Sequence, residues 1–98
     1  MIIRIVKMTF QPERVDDFLE NFEKNKKHIR TFEGCNHLEL LKEEGRDDVY
    51  FTYSYWDNLE ALENYRHPQL FKGVWSFTKA LFADKPQAWS LQSIDKQQ

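Results

Sequence analysis

The alternation of side chains along the chain predicts a central strand at residues 49–56. This stretch is built from aromatic and β-branched residues and lies between polar residues at 44–48 and 57–58, which is typical of a strand. Its odd positions carry one valine and three aromatic rings, and its even positions mix two hydroxyls with Tyr50 and Trp56. Neither face suits water, so we expect this strand in the middle of a sheet that is covered on both sides.

The same reasoning places the other elements. Strands are expected at residues 2–10, 35–42 and 87–94, and apolar residues at helical spacing predict helices at 12–32, at 57–65 and at 68–82, the last two separated near Pro68. The order β-α-β-β-α-β is that of a ferredoxin-like α+β fold with a four-stranded antiparallel sheet. Right-handed crossovers put all the helices on one side of the sheet. Because the other side also carries apolar residues, we expect it to pack against a second copy in a homodimer.

Two local contacts are also predicted. Asp57 is followed three residues later by Glu60, the pattern of a capping box, so the helix after the central strand is expected to start at Asp57. Arg4, Lys7 and Glu39 are expected to form ion pairs across neighbouring strands.

Composition narrows the classes of function. The 98 residues suggest one domain over positions 1–98, with a polar tail at 95–98. A formal net charge of −2 gives no attraction to nucleic acid or to anionic lipid. A single cysteine, Cys35, excludes an internal disulfide and fits a reducing compartment. No apolar run has the roughly 20 residues of a membrane span, and no signal-peptide pattern precedes the first strand, so we expect a cytoplasmic protein without membrane partners.

Several kinds of chemistry find no support in the sequence. The three histidines are far apart, and there is no His-x-His or Cys-x-x-Cys pair to bind a metal. Ser54 lacks the glycine-flanked turn that exposes a serine nucleophile. Cys35, at the start of a strand, is expected to pack rather than react. With only three glycines, the chain has no glycine-rich phosphate loop.

Several segments together resemble the antibiotic biosynthesis monooxygenase (ABM) domain over nearly the whole chain. The order of elements contributes to the resemblance. So do a Pro-led first helix with Phe18 six residues after Pro12, Glu33-Gly34-Cys35, Tyr-x-Trp before an acid-capped helix, and His67-Pro68-x-Leu70-Phe71-Lys72. The resemblance implies a dimeric α+β barrel with a small pocket between helices and sheet in each subunit. It also implies oxidation of aromatic polyketides or quinols by O₂ without metal or flavin, hence no cofactor, although many members have no assigned activity.

One branch of that family degrades haem, and the sequence argues against it. That branch has an Asn on the first strand, a Trp at the end of the third strand and a His on the following long helix. Trp56 matches the Trp, but Val6 or Lys7 stands at the Asn position and Trp75 at the His position. Indole offers no donor atom for a haem iron.

The candidate site residues are one base and four aromatic walls. His37 lies two residues from Glu39 on the same strand face, where a carboxylate can orient an imidazole as a general base; alternatively it is a hydrogen-bonded structural residue. Trp56, Tyr65, Phe71 and Trp75 are expected to wall a pocket for a flat aromatic substrate, or else to form plain core.

Two functions remain open on the sequence. The preferred one is a cofactor-independent monooxygenase that acts on a small aromatic quinol. The alternative is a non-enzymatic homodimer that binds a small ligand or is purely structural. A cavity between helices and sheet, with an ionisable side chain pointing into it, would favour the enzyme.

Overall fold

The structure is a computed structural model that describes residues 1–97, with every side chain among them except that of Leu70. Its elements are β1 (Ile2–Thr9), a 3₁₀ turn (Pro12–Arg14), α1 (Val15–Arg30), β2 (Cys35–Lys42), β3 (Val49–Trp56), α2 (Leu59–Arg66), α3 (Gln69–Lys79) and β4 (Gln87–Gln92). The predicted order of elements is confirmed. The predicted inward position of Leu70 and the last residue of the polar tail, Gln98, lie outside the described part.

The four strands form one antiparallel sheet in the order β2-β3-β1-β4. The predicted ferredoxin-like α+β fold is therefore confirmed. β1 lies between β3 and β4, and Ile5 stands opposite Tyr53 on one side and Trp89 on the other. Since directly opposed residues share a face, this register fixes which side chains point to each side of the sheet.

Several element boundaries differ from the sequence prediction, and three of the differences concern β1, α3 and β4. β1 ends at Thr9, and Phe10 instead forms an isolated bridge with Phe82. α3 ends at Lys79, and the chain then turns back so that the amide of Ala83 donates to the carbonyl of Thr9 over 2.8 Å. β4 ends at Gln92 rather than at residue 94. The first two differences have one cause, because the bridge holds residues 80–83 against the end of β1.

The helices cover one face of the sheet and bury two clusters there. The first cluster consists of Met8, Phe10, Phe18, Tyr50 and Leu81. The second consists of Ile2, Cys35, Trp56 and Leu62. Along β1, Arg4 and Val6 separate the two clusters on this face, and the packing is incomplete at that point.

A β-bulge at Asn36 sets the direction of two β2 side chains. Cys35 is opposite Trp56, whereas His37 is opposite Tyr55, so one extra residue lies between them. Cys35 therefore points to the helices, where it is buried as the sequence predicted. His37 points to the other side of the sheet.

We call that other side the open face. It carries Ile3, Ile5, Lys7, Thr9, His37, Glu39, Leu41, Val49, Phe51, Tyr53, Tyr55, Gln87, Trp89 and Leu91. Nine of these fourteen side chains are aliphatic or aromatic, and Trp89 and Leu91 are 42% and 45% exposed. The open face is thus a largely apolar surface that no helix within residues 1–97 covers.

The start of α2 corrects a predicted cap. The helix begins at Leu59, and the side chain of Asn58 accepts a hydrogen bond from the amide of Ala61 over 2.8 Å. Asp57 lies one residue too early for this role; its carboxylate instead accepts from the Asn36 side chain over 2.7 Å. The predicted capping box at Asp57 and Glu60 is therefore wrong by one residue.

Candidate functional site

A cavity of about 260 Å³ lies between the helices and the covered face of the sheet. All four strands or their connections, and all three helices, contribute to its wall. The lining residues are Arg4, Val6, Ile29, Leu38, Thr52, Ser54, Trp56, Leu62, Tyr65, Arg66, Phe71, Trp75, Pro86 and Ala88. Its volume is just below the roughly 300–1,000 Å³ of drug-sized pockets. A ligand with a single ring or with two fused rings suits this space.

Aromatic rings form one continuous wall of the cavity. Trp56 and Tyr65 are stacked with centroids 4.7 Å apart, and Tyr65 meets Phe71 edge to face at 4.8 Å. Phe71 and Trp75 are nearly parallel at 6.4 Å. Residues 71 and 75 share a helix face because they are four apart. Rings held against each other in this way present rigid flat surfaces to a ligand.

The floor of the cavity contains a polar strip. Arg4 on β1 stands between Ser54 on β3 and Ser90 on β4, and its Nη1 donates to the Ser90 hydroxyl over 2.9 Å. The buried Ser54 hydroxyl accepts a hydrogen bond from the Trp56 indole N–H over 3.0 Å. This bond fixes the orientation of the indole at the cavity wall.

Burial and a second cation both lower the pKa of Arg4. Loss of solvent lowers the pKa of its guanidinium, and the nearby Arg66 lowers it further, while Glu63 acts in the opposite direction. Arg66 lies at the end of α2 and forms an ion pair with Glu63 at 3.2 Å. Burial also raises the pKa of the Tyr65 phenol far above its usual value, with a smaller contribution from Cys35. Tyr65 is therefore a neutral hydroxyl, not a base, at ordinary pH.

The structure brings the four predicted aromatic residues together and leaves the predicted base elsewhere. Trp56, Tyr65, Phe71 and Trp75 all line the cavity; that they contact a substrate stays a prediction. His37 is separated from the cavity by the sheet. On the open face its Nε2 lies 3.1 Å from Glu39, as the sequence suggested, and its ring lies 5.0 Å from that of Tyr55. The geometry does not support His37 as the base for a molecule in this cavity.

Sequence reasoning missed the two cations of the site. Arg4 was expected to form an ion pair with Glu39, but Arg4 is on the covered face and Glu39 is on the open face, so that expectation is wrong. The phase of the alternation along β1 carries the missing signal, since Arg4 shares its parity with Val6 and Met8. Arg66 follows Tyr65 directly, but only the packing of α2 reveals that both reach the cavity.

Residues 1–97 contain neither a metal-binding cluster nor a membrane-spanning helix. No group of three or more His, Cys, Asp and Glu side chains is arranged there to hold a metal ion. None of the helices in this range has the length and apolar character needed to cross a membrane. The predicted cytoplasmic location stays a prediction.

Fold and cavity define an α+β domain of the ferredoxin-like class with an aromatic cavity between its two layers. The family model described as antibiotic biosynthesis monooxygenase matches residues 1–74. This chain therefore belongs to the antibiotic biosynthesis monooxygenase family.

Solved structures agree on the fold. A crystal structure described as an antibiotic biosynthesis monooxygenase has a TM-score of 0.91 at 15% identity, covering 97% of this chain and 100% of that chain. A conserved protein from Methanosarcina mazei Go1 has a TM-score of 0.88 at 17% identity, covering 94% and 92%. A protein from Mycobacterium tuberculosis has a TM-score of 0.89 at 13% identity, covering 97% and 96%. At these identities the likeness establishes the fold alone. No curated protein sequence matches this chain significantly.

Proposed function

We propose that this chain binds a small phenol or hydroquinone in the cavity and oxidises it with O₂, without a cofactor. One observation carries the proposal, namely a cavity between helices and sheet that is walled by Trp56, Tyr65, Phe71 and Trp75. Membership of the antibiotic biosynthesis monooxygenase family supports the reaction class. The predicted pocket and the observed cavity lie in the same place, between the two layers.

The proposed chemistry needs little from the protein. A phenol with an unsubstituted ring carbon ortho or para to its hydroxyl loses a proton, and that carbon of the resulting anion adds O₂ to form a peroxide. The peroxide takes up a proton and loses water, so that a CH₂ of the keto tautomer becomes a carbonyl and O₂ supplies one oxygen to the product and one to water. The cavity contributes a dry site and a fixed ring orientation. The proton leaves to solvent, because the described lining contains no carboxylate and no imidazole.

That same lining favours a second candidate, a protein that binds an aromatic molecule without converting it. General-base catalysis typically contributes about 10²–10⁴-fold. A site without a base relies on the acidity of the ligand instead. The two candidates share the cavity and differ only in whether O₂ is consumed.

Oxygen uptake separates the two candidates. The protein is incubated with 1,4-naphthohydroquinone and with 1-naphthol, and O₂ consumption is compared with the protein-free rate. Ala88→Trp narrows the cavity at an exposed position on β4, and Ala83→Trp adds the same ring outside the cavity. If the chain is an enzyme, we expect O₂ uptake above the protein-free rate. Ala88→Trp should abolish this uptake, and the Ala83→Trp variant should keep it. Binding without uptake would establish the second candidate, and neither binding nor uptake would refute both.

We also propose that the open face packs against the same face of a second copy. Leu41, Trp89 and Leu91 are each about two-fifths exposed there. A contiguous apolar surface of this kind on a soluble protein marks an interaction site. A two-fold dimer would bury the face on both chains through one self-complementary patch.

Light scattering after size-exclusion chromatography tests the dimer. Ile5→Asp puts a carboxylate at the centre of the open face, whereas Phe77→Asp puts one on α3, in place of a ring that is 44% exposed. We expect the mass of two chains for the wild type and for Phe77→Asp, and a concentration-dependent loss of dimer for Ile5→Asp. A wild-type mass of one chain at micromolar concentration would contradict the proposal.

A further inference from the structure

We propose that the cavity selects aromatic ligands that carry an anionic oxygen, and that Arg4 and Arg66 bind this oxygen. The inference rests on the aromatic cavity of the proposed function and names the chemical class of its ligand. The oxygen belongs to a carboxylate substituent or to an ionised ring hydroxyl. Both sources offer the same feature, a negatively charged oxygen attached to or next to a flat ring.

Arg4 has more hydrogen-bond donors than the protein occupies. A guanidinium has five N–H donors and no acceptor. The described residues supply one acceptor, the Ser90 hydroxyl at 2.9 Å, and no carboxylate within ion-pair distance. The side chain is half-buried on the middle of the sheet, where water satisfies it less well than at the surface. A half-buried guanidinium with unoccupied donors is suited to bind an anion, because hydrogen bonds between charged groups are the stronger kind.

Arg66 adds a second positive charge to the same cavity. It lies close enough to Arg4 to disfavour the charged form of that group. Glu63 is its one ion-pair partner among the described residues, at 3.2 Å. Two cations and one carboxylate leave an excess of one positive charge beside the cavity. An anion bound there would relieve the repulsion between the two guanidiniums, and charge-assisted bonds to guanidinium are the strong kind.

The apolar part of the lining fits the rest of such a ligand. Phe71 and Trp75 on α3 and Leu38 on β2 present only carbon atoms or an indole. A flat ring with a charged oxygen at one edge matches this division, with the ring against the aromatic wall and the oxygen at the arginines. A neutral hydrocarbon would desolvate Arg4 and add no acceptor for its remaining N–H donors, so the site discriminates against it.

The binding of matched probes tests the inference by calorimetry. The probes are 2-naphthoate, neutral 2-naphthamide of nearly the same shape, and 2-naphthol, whose absorbance reports ionisation. For the wild type we expect 2-naphthoate to bind at least about tenfold more tightly than 2-naphthamide, since a hydrogen bond to a charged group contributes about 1.5–3 kcal/mol. We also expect bound 2-naphthol to ionise at a lower pH than free 2-naphthol. The preference should weaken as salt is added.

Charge-removing variants assign the effect to the two arginines. Arg4→Gln and Arg66→Gln should each bring the ratio of the two affinities close to one and leave 2-naphthamide binding unchanged. Arg14→Gln removes the same charge from a residue outside the cavity and should keep the wild-type ratio. Arg66 is exposed at the end of α2, so its variant is expected to fold even if Arg4→Gln does not.

Each outcome decides a separate question. A preference for 2-naphthoate alone assigns the oxygen to a carboxylate, and a shifted ionisation of 2-naphthol alone assigns it to the ring hydroxyl. Equal binding of acid and amide without any shift would overturn the inference, as would a preference that survives in both arginine variants. If neutral quinols are oxidised and charge has no effect, the inference fails and the proposed oxidation stands. If acids bind through the arginines but no O₂ is consumed, the inference stands and the proposed oxidation fails.

Discussion

Replacing Gly34 with alanine should loosen α2 from the sheet. Gly34 lies in the turn between α1 and β2 with φ of +90°, and a Cβ at this position would lie 2.5 Å from the Cβ of Ala61 in α2. Carbon atoms in contact are ordinarily about 3.5–4.0 Å apart. A methyl group on a helix backbone cannot rotate away, so α2 as a whole must shift.

Gly45 provides a matched control for this substitution. It has φ of +83°, and a Cβ there would have no atom within 4 Å. A left-handed conformation costs a non-glycine residue roughly 1–2 kcal/mol, so Gly45→Ala should lower the free energy of unfolding by that amount. Overpacking adds about 1–3 kcal/mol, so Gly34→Ala should lose about 2–5 kcal/mol in total.

Urea denaturation of the two variants measures the difference between them. The slope of the unfolding free energy against urea concentration should be the same in all variants. The urea concentration at the midpoint of unfolding then reports stability. Adding Ala61→Gly to Gly34→Ala removes the overlapping methyl group, at a cost of about 1 kcal/mol for glycine in a helix. The double variant should therefore be more stable than the sum of the single effects. Equal losses for Gly34→Ala and Gly45→Ala would refute the packing argument and leave backbone strain as the whole effect.

Three further substitutions probe the residues around the cavity. Ser54→Ala leaves the buried Trp56 indole N–H without its acceptor and should cost about 1–3 kcal/mol by thermal or urea denaturation; a loss no larger than that of the exposed Ser90→Ala would contradict this. Burial raises the pKa of Tyr65, so above about pH 10 the unfolded chain loses a proton that the folded chain keeps, and stability falls by up to about 1.4 kcal/mol per pH unit. Tyr65→Phe should flatten this decline, and an unchanged slope would exclude Tyr65 as its source. Asn58→Ala removes the α2 cap and should cost about 1 kcal/mol in the same denaturation experiment, whereas wild-type stability would mean that water replaces the cap.

Much of the fold follows from the sequence, because both kinds of periodicity are strong in this chain. β2 and β3 begin and end where the apolar pattern begins and ends, at Cys35–Lys42 and Val49–Trp56. The spacing of Phe71 and Trp75 placed both on the inner face of their helix. Such regularities are local, so residue types alone carry them.

The site could not be predicted to the same extent, because it depends on contacts between distant segments. The bulge at Asn36 decides that Cys35 and His37 point to opposite sides, and nothing in the residue types at 35–37 announces an extra residue. Asp57 and Asn58 are both good caps, and only the packing of α2 selects the second. The sequence suggests that Arg4 is a charged residue at the edge of the sheet. Only the register of three strands shows that it lies beneath the helices.

β1 serves two surfaces with neighbouring residues. Ile3 and Ile5 belong to the open face, while Arg4, between them, lines the cavity. Inserting or deleting one residue early in this strand would exchange their directions. The guanidinium of Arg4 would then lie on the open face, and an isoleucine would point into the cavity. One such change would therefore damage both ligand binding and the proposed dimer. We therefore expect relatives to keep the length of this strand fixed.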